Sequence, residues 1–316
     1  MREKIAAAIV AVLILLTAAP YIFTLPSDDY RKPEQLAGFN SLFDTINGVK
    51  IHYEIYGDPV NPAVILIHGF GGSTFTWRDT IPALLENKFY VVALDLKGFG
   101  LSERGINLDY SHESQANLVN DLMDNLGIKE AFIVGHSMGG NVATFLTELH
   151  PEKVRKLILV DAQIFRPNYD IIKVSQVSQL ITVFPFDQYA RQILLRYITP
   201  STVRNILSSA YYDKDLVTDY TVDGYAQSLK IKDWQESLIG IIRDQYKNNL
   251  PNPLEKIEKP VRIIWGLQDT WINLEEGKKI NIEIKGSVMD VIENAGHMPM
   301  EESPEDFNAI LLKDLK

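Results

Sequence analysis

Short apolar segments recur along the chain, and they are typical of strands that are covered on both faces of a sheet. The segments are Ala63–Ile67, Tyr90–Leu94, Ala131–Val134, Leu157–Val160 and Val261–Trp265, and Val288–Ile292 is a further predicted strand. Helical patterns lie between them; Ser111–Leu126, for example, carries leucines at 118, 122 and 126. Strands that alternate with helices predict an α/β fold with a mainly parallel, doubly wound sheet.

A β-hairpin is predicted ahead of the first buried strand. The segments Ser41–Ile46 and Val49–Tyr56 flank Asn47 and Gly48, and this dipeptide is a strong signal for a two-residue turn.

The alternation of strands and helices stops between about Arg166 and Pro253. This stretch contains only amphipathic helical segments: Ile171–Val183, Gln188–Tyr197, Val203–Tyr212, Val222–Leu229 and Trp234–Tyr246. We therefore predict a core formed by residues 41–165 and 254–316, with a helical lid inserted at 166–253. Residues 26–40 are predicted to be a polar linker.

The N-terminal residues 1–25 are predicted to be a transmembrane helix. The stretch Ile5–Ala19 is apolar apart from Thr17, and the uncharged region is long enough to cross a hydrocarbon core of ~30 Å. Arg2 and Lys4 favour a cytoplasmic N-terminus, with the rest of the chain anchored on the extracytoplasmic side. A cleaved signal peptide, which would give a secreted protein, is the alternative.

Charge and composition narrow the classes of partner. The 316 residues carry a net charge of −10, with 41 acidic and 31 basic residues, which opposes binding to nucleic acid. The absence of cysteine excludes thiol catalysis and thiolate metal sites. The sequence contains no phosphate-binding Gly-Lys-Ser/Thr loop and no closely spaced metal ligands, so we expect neither a cofactor nor a metal.

The segment from Ala131 to Asn141 is the strongest chemical signal. A predicted strand runs into Gly-His-Ser-Met-Gly-Gly, and a predicted helix, Met138–Leu149, follows. A serine between glycines at such a turn is held in a strained backbone conformation that exposes its hydroxyl. Ser137 is therefore the candidate nucleophile, and the Met138 N–H at the helix start is a candidate oxyanion donor.

A serine needs a base and an orienting carboxylate to become nucleophilic. His297 follows the strand Val288–Ile292, and Asp269 follows Val261–Trp265, so both lie at the carboxyl edge of the predicted sheet, where active sites assemble. Asp161 also ends a strand and is the alternative acid. Structural roles are expected for the other histidines: His52, His68, His112, His136 and His150.

A second oxyanion donor is predicted in the loop His68-Gly69-Phe70-Gly71-Gly72. Its glycines allow the backbone to approach a substrate closely, so the Phe70 N–H can act beside that of Met138. Losing one such donor typically costs about 3 kcal/mol of transition-state stabilisation.

Five motifs together resemble the α/β-hydrolase superfamily, over roughly residues 40–165 and 254–316. They are His68-Gly69-Phe70-Gly71, Asp95-x-x-Gly98-x-Gly100-x-Ser102, Gly135-His136-Ser137-Met138-Gly139-Gly140, Gly266-x-x-Asp269 and Gly296-His297. The order Ser, Asp, His is also that of the superfamily. The resemblance is to the lidded branch, which contains esterases, lipases, carbon–carbon bond hydrolases, and epoxide or haloalkane hydrolases. The last two use an aspartate where Ser137 stands, and carbon–carbon bond hydrolases usually carry Asn where His136 stands.

The resemblance implies a serine hydrolase that cleaves carboxylic esters of small or medium apolar substrates through an acyl-enzyme. Three alternatives remain open: a carbon–carbon bond hydrolase, an acyltransferase with the same triad, or a small-molecule receptor on the same fold.

Apolar residues in and near the lid are candidates for a substrate pocket, although packing of the lid helices on each other and on the sheet is the favoured explanation for most of them. They are Ile164, Phe165, Val174, Val177, Leu180, Phe184, Phe186 and Tyr189.

Overall fold

The computed structural model describes residues 30–165, 182, 186–244, 247, 250 and 252–315. Its centre is an eight-stranded sheet with the order β1-β2-β4-β3-β5-β6-β7-β8. The strands are β1 Ser41–Ile46, β2 Val49–Tyr56, β3 Ala63–Ile67, β4 Tyr90–Leu94, β5 Ala131–His136, β6 Val154–Val160, β7 Val261–Gly266 and β8 Val288–Ile292. The pairings of β2 with β1 and β4 are antiparallel, and all the others are parallel. The predicted mainly parallel sheet is confirmed.

The predicted hairpin is present at β1 and β2. Asn47 and Gly48 both have positive φ, 50° and 82°, as a tight two-residue hairpin turn requires. The hairpin pairs onto β4 and so belongs to the main sheet.

Strands β3, β4, β5 and β7 are buried along their whole length because helices cover both faces of the sheet. Two large apolar clusters result, one on each side of the central strands. In β3, for example, Ile65 belongs to one cluster and Leu66 to the other, since successive side chains point to opposite faces.

The helices that cover the sheet are close to those that the periodicity predicts. Ahead of the core lies the short helix α1 Pro33–Leu36, and the described α-helices of the core are α2 Ile81–Glu86, α3 His112–Asn125, α4 Met138–Leu149, α9 Leu274–Glu283, α10 Pro299–Glu302 and α11 Pro304–Leu315. A 3₁₀ turn, Thr74–Trp77, precedes α2, and α2 begins at Ile81 because Pro82 is tolerated only in the first turn of a helix.

Between β6 and β7 the described residues form helices and no strand. These are α5 Phe186–Tyr197, α6 Pro200–Ala210, α7 Asp219–Ala226 and α8 Trp234–Asp244. The predicted helix Ile171–Val183 lies outside the described residues, apart from residue 182.

Residues 30–40, predicted to belong to a linker, are hydrogen-bonded to this helical region. The Arg31 N–H donates to the Lys230 carbonyl at 2.8 Å, and the Gln235 amide donates to the Tyr30 hydroxyl at 2.9 Å. This part of the chain is therefore attached to the lid.

The transmembrane helix in the predicted fold class requires a correction. The predicted span, residues 1–25, lies outside the described residues. Within the described part, no helix is long and apolar enough to cross a membrane; α3, for example, has 14 residues where a span needs ~20. Over the described residues, the fold class is an α/β sheet with a helical insertion.

Candidate active site

Ser137 lies in a strained turn between β5 and α4. Its backbone has φ 52° and ψ −118°, a conformation that non-glycine residues rarely adopt. A Cβ on Gly135 would overlap the Gly139 carbonyl, and a Cβ on Gly139 would overlap the His68 carbonyl. The two glycines therefore allow the strand, the helix and the neighbouring loop to pack closely around the serine.

His297 and Asp269 converge on this serine from the loops after β8 and β7. Nε2 of His297 lies 3.0 Å from Oγ of Ser137, and Nδ1 of His297 lies 2.7 Å from Oδ2 of Asp269. The carboxylate on Nδ1 favours the tautomer in which Nδ1 carries the proton, which leaves Nε2 to accept the proton of Ser137. The three predicted residues thus form one hydrogen-bonded line.

The other oxygen of Asp269 is held by the backbone. Oδ1 accepts the N–H groups of Trp271 at 2.7 Å and Ile272 at 3.0 Å. The ring of Trp271 lies over His297 with 5.1 Å between ring centroids, and its indole N–H donates to the Ser209 hydroxyl of α6. One tryptophan thereby connects the acid, the base and the lid.

Asp161, the alternative acid, is buried beside the same pair. Its Oδ1 accepts the Gly266 N–H at 3.0 Å. Burial and the neighbouring Asp269 raise the pKa of Asp161 well above its usual range, which disfavours the charged form of this carboxyl group. The ion-pair partner of His297 is therefore Asp269.

Asp161, Asp269 and His297 also form a cluster whose potential ligand atoms lie within 4.8 Å of one another in the described part of the chain. Nδ1 of His297 is hydrogen-bonded to Asp269 and Nε2 to Ser137. Both ring nitrogens are thus occupied, and the cluster is better suited to proton transfer than to metal binding.

The two predicted oxyanion donors flank Ser137. Met138 is the first residue of α4, where a backbone N–H has no partner within the helix. Phe70 lies in the loop after β3 and lines the same cavity as Ser137. A Cβ on Gly69 would lie 2.9 Å from Cβ of Ser137, so the loop approaches the serine closely.

His68 and His136 have structural contacts around this loop. His68 bridges the Gly69 carbonyl at 2.7 Å and the Leu96 N–H at 3.1 Å, and Nε2 of His136 donates to the His297 carbonyl at 2.8 Å. Burial lowers the pKa of both, so both are neutral.

A second Ser–His–Asp arrangement lies at the start of the sheet. Nε2 of His52 is 2.8 Å from Oγ of Ser41, and Nδ1 of His52 is 2.7 Å from Oδ2 of Asp95. Ser41 begins an extended strand, its hydroxyl accepts the Gly38 N–H, and none of these residues is among the described lining of the cavity beside Ser137. This second set therefore has a structural role.

The loop that carries His297 is bound to the end of lid helix α6. The His297 N–H donates to the Ala210 carbonyl at 2.8 Å. Glu302 accepts the N–H groups of Gly296 at 2.8 Å and Tyr212 at 2.6 Å. Sequence reasoning missed Glu302, because no local pattern distinguishes it from the adjacent Glu301.

A cavity of about 440 Å³ opens beside Ser137 and His297. Its apolar lining includes Phe70, Phe99, Ile198, Val203, Ile206, Leu207, Ala210, Leu229, Trp234, Leu238, Trp271 and Met298. The lid therefore contributes most of these apolar side chains.

The residues that were predicted to line a pocket are absent from the cavity lining wherever the structure describes them. Val174, Val177, Leu180 and Phe184 lie outside the described residues. The described lining contains none of Ile164, Phe165, Phe186 and Tyr189. Ile164 and Phe165 pack against the sheet instead.

Comparison with known proteins agrees with this fold. The sequence profile described as the alpha/beta hydrolase fold matches residues 62–304. This chain belongs to the α/β-hydrolase superfamily, and its fold and relatives identify it as a hydrolase.

Individual relatives differ in chemistry. The chain is 30% identical over 263 residues to the uncharacterised hydrolase YugF of Bacillus subtilis, covering 83% of this chain and 92% of that protein. It is 26% identical to epoxide hydrolase 1 of Caenorhabditis elegans, covering 90% of this chain and 72% of the relative. Among solved structures, the meta-cleavage product hydrolase CumD of Pseudomonas fluorescens superposes with a TM-score of 0.70 at 26% identity, covering 86% of this chain and 96% of CumD.

Proposed function

We propose that this hydrolase cleaves carboxylic esters through an acyl-enzyme on Ser137. The observation that carries the proposal is the line Ser137–His297–Asp269, with spacings of 3.0 and 2.7 Å, opening onto a largely apolar cavity. An apolar cavity suits the acyl or alcohol part of an ester and excludes bulk water from the reacting carbonyl.

The reaction follows from the orientation of His297. Nε2 accepts the Ser137 proton as Oγ attacks the ester carbonyl, and the N–H groups of Phe70 and Met138 stabilise the oxyanion. The imidazolium, stabilised by Asp269, then donates this proton to the departing alcohol. A water molecule deprotonated by the same nitrogen releases the carboxylic acid and restores the serine.

Ser137 also argues against epoxide hydrolysis, although one relative bears that name. Epoxide hydrolases of this superfamily attack with an aspartate, and a serine at that position would form an ether that water cannot readily cleave.

The similarity to CumD favours carbon–carbon bond hydrolysis as a second candidate. The same triad could act on a diketone, with the carbon leaving group protonated in place of an alcohol. His136, where such enzymes usually carry Asn, favours the ester reaction.

The test is hydrolysis of p-nitrophenyl esters of increasing acyl length by the full-length protein. We expect Ser137→Ala to lower kcat/KM by at least about a thousandfold. Ser41→Ala is the matched control. It removes a serine that is also hydrogen-bonded to a histidine–aspartate pair, His52 and Asp95, but lies outside the described lining of the cavity, and this variant should retain activity.

Three outcomes decide between the candidates. Activity that survives Ser137→Ala would reject the proposed nucleophile. Turnover of a diketone without turnover of esters would favour the second candidate. Product analysis in the presence of an alcohol would reveal acyl transfer, since an acyltransferase would form a new ester.

A further inference from the structure

Among the described residues that line the cavity, Arg104 alone carries a permanent charge. The other ionisable groups there are His136, His297 and Tyr225, and the rest of the lining is apolar or uncharged. A single cation in such a cavity requires an explanation, because burial of a charge is unfavourable unless it is paired.

The contacts of Arg104 within the described chain are confined to neighbouring carbonyls. Nη1 donates to the Ser102 carbonyl at 3.3 Å and Nη2 to the Gly100 carbonyl at 2.6 Å. Nε is shielded from solvent and has no hydrogen-bond partner among the described residues. The carboxylate of the adjacent Glu103 accepts the Lys50 N–H instead.

The other arginines of the described chain show how unusual this is. Each of the other arginines that is partly or fully buried is paired with a carboxylate. The pairs are Arg78 with Glu301, Arg191 with Asp187 and Glu236, Arg204 with Asp219, Arg243 with Asp244, and Arg262 with Asp290 and Asp314. The remaining ones, Arg31, Arg155 and Arg196, are exposed to water. Within the described chain, Arg104 is thus the partly buried arginine without an ion pair.

The electrostatic environment of Arg104 favours an incoming anion. Burial lowers the pKa of Arg104 to about 10, and the carboxylates of Asp95 and Asp233 offset this only in part. The guanidinium therefore keeps its charge at neutral pH but lacks a full counter-charge. A carboxylate is its natural partner, since a guanidinium offers parallel N–H donors to two carboxylate oxygens.

Arg104 and the proposed nucleophile reach the cavity from loops that follow different strands. Ser137 follows β5 and Arg104 belongs to the loop after β4, while β3 lies between these strands. The ends of β4 and β5 are therefore about 10 Å apart, two strand spacings. The apolar side chains of Phe99 and Leu238 line the same cavity as both residues.

We propose that Arg104 binds a carboxylate at the end of the substrate remote from the ester bond, so that the preferred substrates are esters with an apolar body and a terminal carboxylate. This inference rests on the proposed ester hydrolysis and adds the substrate class to it.

The first test compares two esters that differ only at the far end of the acyl chain. They are mono-p-nitrophenyl adipate, which ends in a carboxylate, and p-nitrophenyl hexanoate, which ends in a methyl group. We expect the wild-type protein to prefer the adipate in kcat/KM by about tenfold, the ratio that corresponds to 1.4 kcal/mol. A second pair places the carboxylate on the alcohol: the acetate of a hydroxy acid and that of the matching alcohol.

Variants of Arg104 connect any preference to this residue. Arg104→Met should abolish the preference, whereas Arg104→Lys, which keeps the charge, should retain part of it. Arg155→Met removes an exposed positive charge elsewhere and should leave the ratio unchanged. Each result is a ratio of the kcat/KM values of two esters on one protein. A general loss of activity, caused by losing the contacts of Arg104 with Gly100 and Ser102, therefore cancels.

The outcomes separate this inference from the proposed function. Ser137-dependent hydrolysis of the hexanoate, with no carboxylate preference in either pair, would overturn the role of Arg104 and leave ester hydrolysis standing.

If neither ester reacts, calorimetric binding of monomethyl adipate and methyl hexanoate to the Ser137→Ala protein decides. Equal affinity for the two, or an adipate preference that survives Arg104→Met, would reject the inference. If Arg104→Met does not fold, the ratio in the wild type and its change in Arg104→Lys decide instead.

Discussion

The carboxylate of Glu302 accepts the Gly296 N–H at 2.8 Å, one residue before His297. The same carboxylate accepts the Met298 N–H on the other side of the histidine at 3.3 Å, and that of Tyr212 in the lid at 2.6 Å. One acidic side chain therefore fixes the backbone on both sides of the proposed base and attaches it to the lid.

Glu302→Gln should weaken this attachment and lower kcat more than it changes KM. A glutamine has one acceptor oxygen, and its amide group would face an N–H, so His297 would move relative to Ser137. Displacements of this size typically cost about ten- to a hundredfold in rate. Steady-state kinetics on one p-nitrophenyl ester measures kcat and KM separately. Glu305→Gln, an exposed change on α11, is the control. An unchanged kcat would show that Glu302 does not position the base.

The two acids beside His297 should respond very differently to removal of their charge. Asp269→Asn should lower kcat by about three to four orders of magnitude, because an amide beside Nδ1 favours the wrong tautomer. Asp161→Asn should retain activity within about tenfold, since burial and Asp269 already disfavour the charge of Asp161 and an amide oxygen can still accept the Gly266 N–H. Measured rates in the reverse order would make Asp161 the acid of the triad.

The acyl-length preference should depend on the volume near Leu238. This residue lines the cavity from α8 and is half-buried, so Leu238→Trp fills space without disturbing the core. We expect kcat/KM for a long acyl ester to fall by about tenfold or more while that for the acetate changes little. Leu216→Trp, an exposed substitution in the lid, is the matched control. An equal effect on short and long esters would place the acyl chain elsewhere.

Glu148 on α4 should make the free energy of unfolding fall as the pH rises. Burial raises its pKa from 4.5 to about 7, so the folded protein retains a proton that the unfolded chain has released. This contribution is fully present below about pH 4.5 and is lost as the pH rises through about 7. Glu148→Gln should therefore raise Tm relative to the wild type at pH 8 and have little effect at acidic pH.

Thermal unfolding at both pH values measures this difference. Glu130→Gln, at an exposed position, controls for the loss of one negative charge. A Tm difference that is the same at both pH values would show that Glu148 is not the group responsible.

The strands and the turn at Ser137 could be predicted because their sequence signals are local. The helix after the serine, Met138–Leu149, has the predicted bounds, and the glycines around Ser137 are required by contacts within the same turn. His297 and Asp269 are distant in the chain, yet they too could be predicted. The carboxyl ends of parallel strands share one edge, so two loops there must converge with the nucleophile.

The lid was predictable only as helices. Trp234–Asp244 matches its predicted segment closely, but the periodicity did not indicate which side chains face the cavity. An amphipathic pattern identifies the apolar face of a helix, whereas its packing partner determines whether that face is covered or open. Leu207 and Leu238 line the cavity for this reason, while Ile164 and Phe165 pack on the sheet.

By itself, the sequence determined the α/β architecture, the strained serine turn and the two residues that meet it. These depend on short-range periodicity, on glycine sterics and on the rule that parallel strands end together. Only the tertiary structure decided that Glu302 holds the His297 loop and that Arg104 lies in an apolar cavity without an ion pair to any described residue. A carboxylate or a guanidinium has the same local pattern whether it finds a partner or not, because its partners come from distant segments and are chosen by packing.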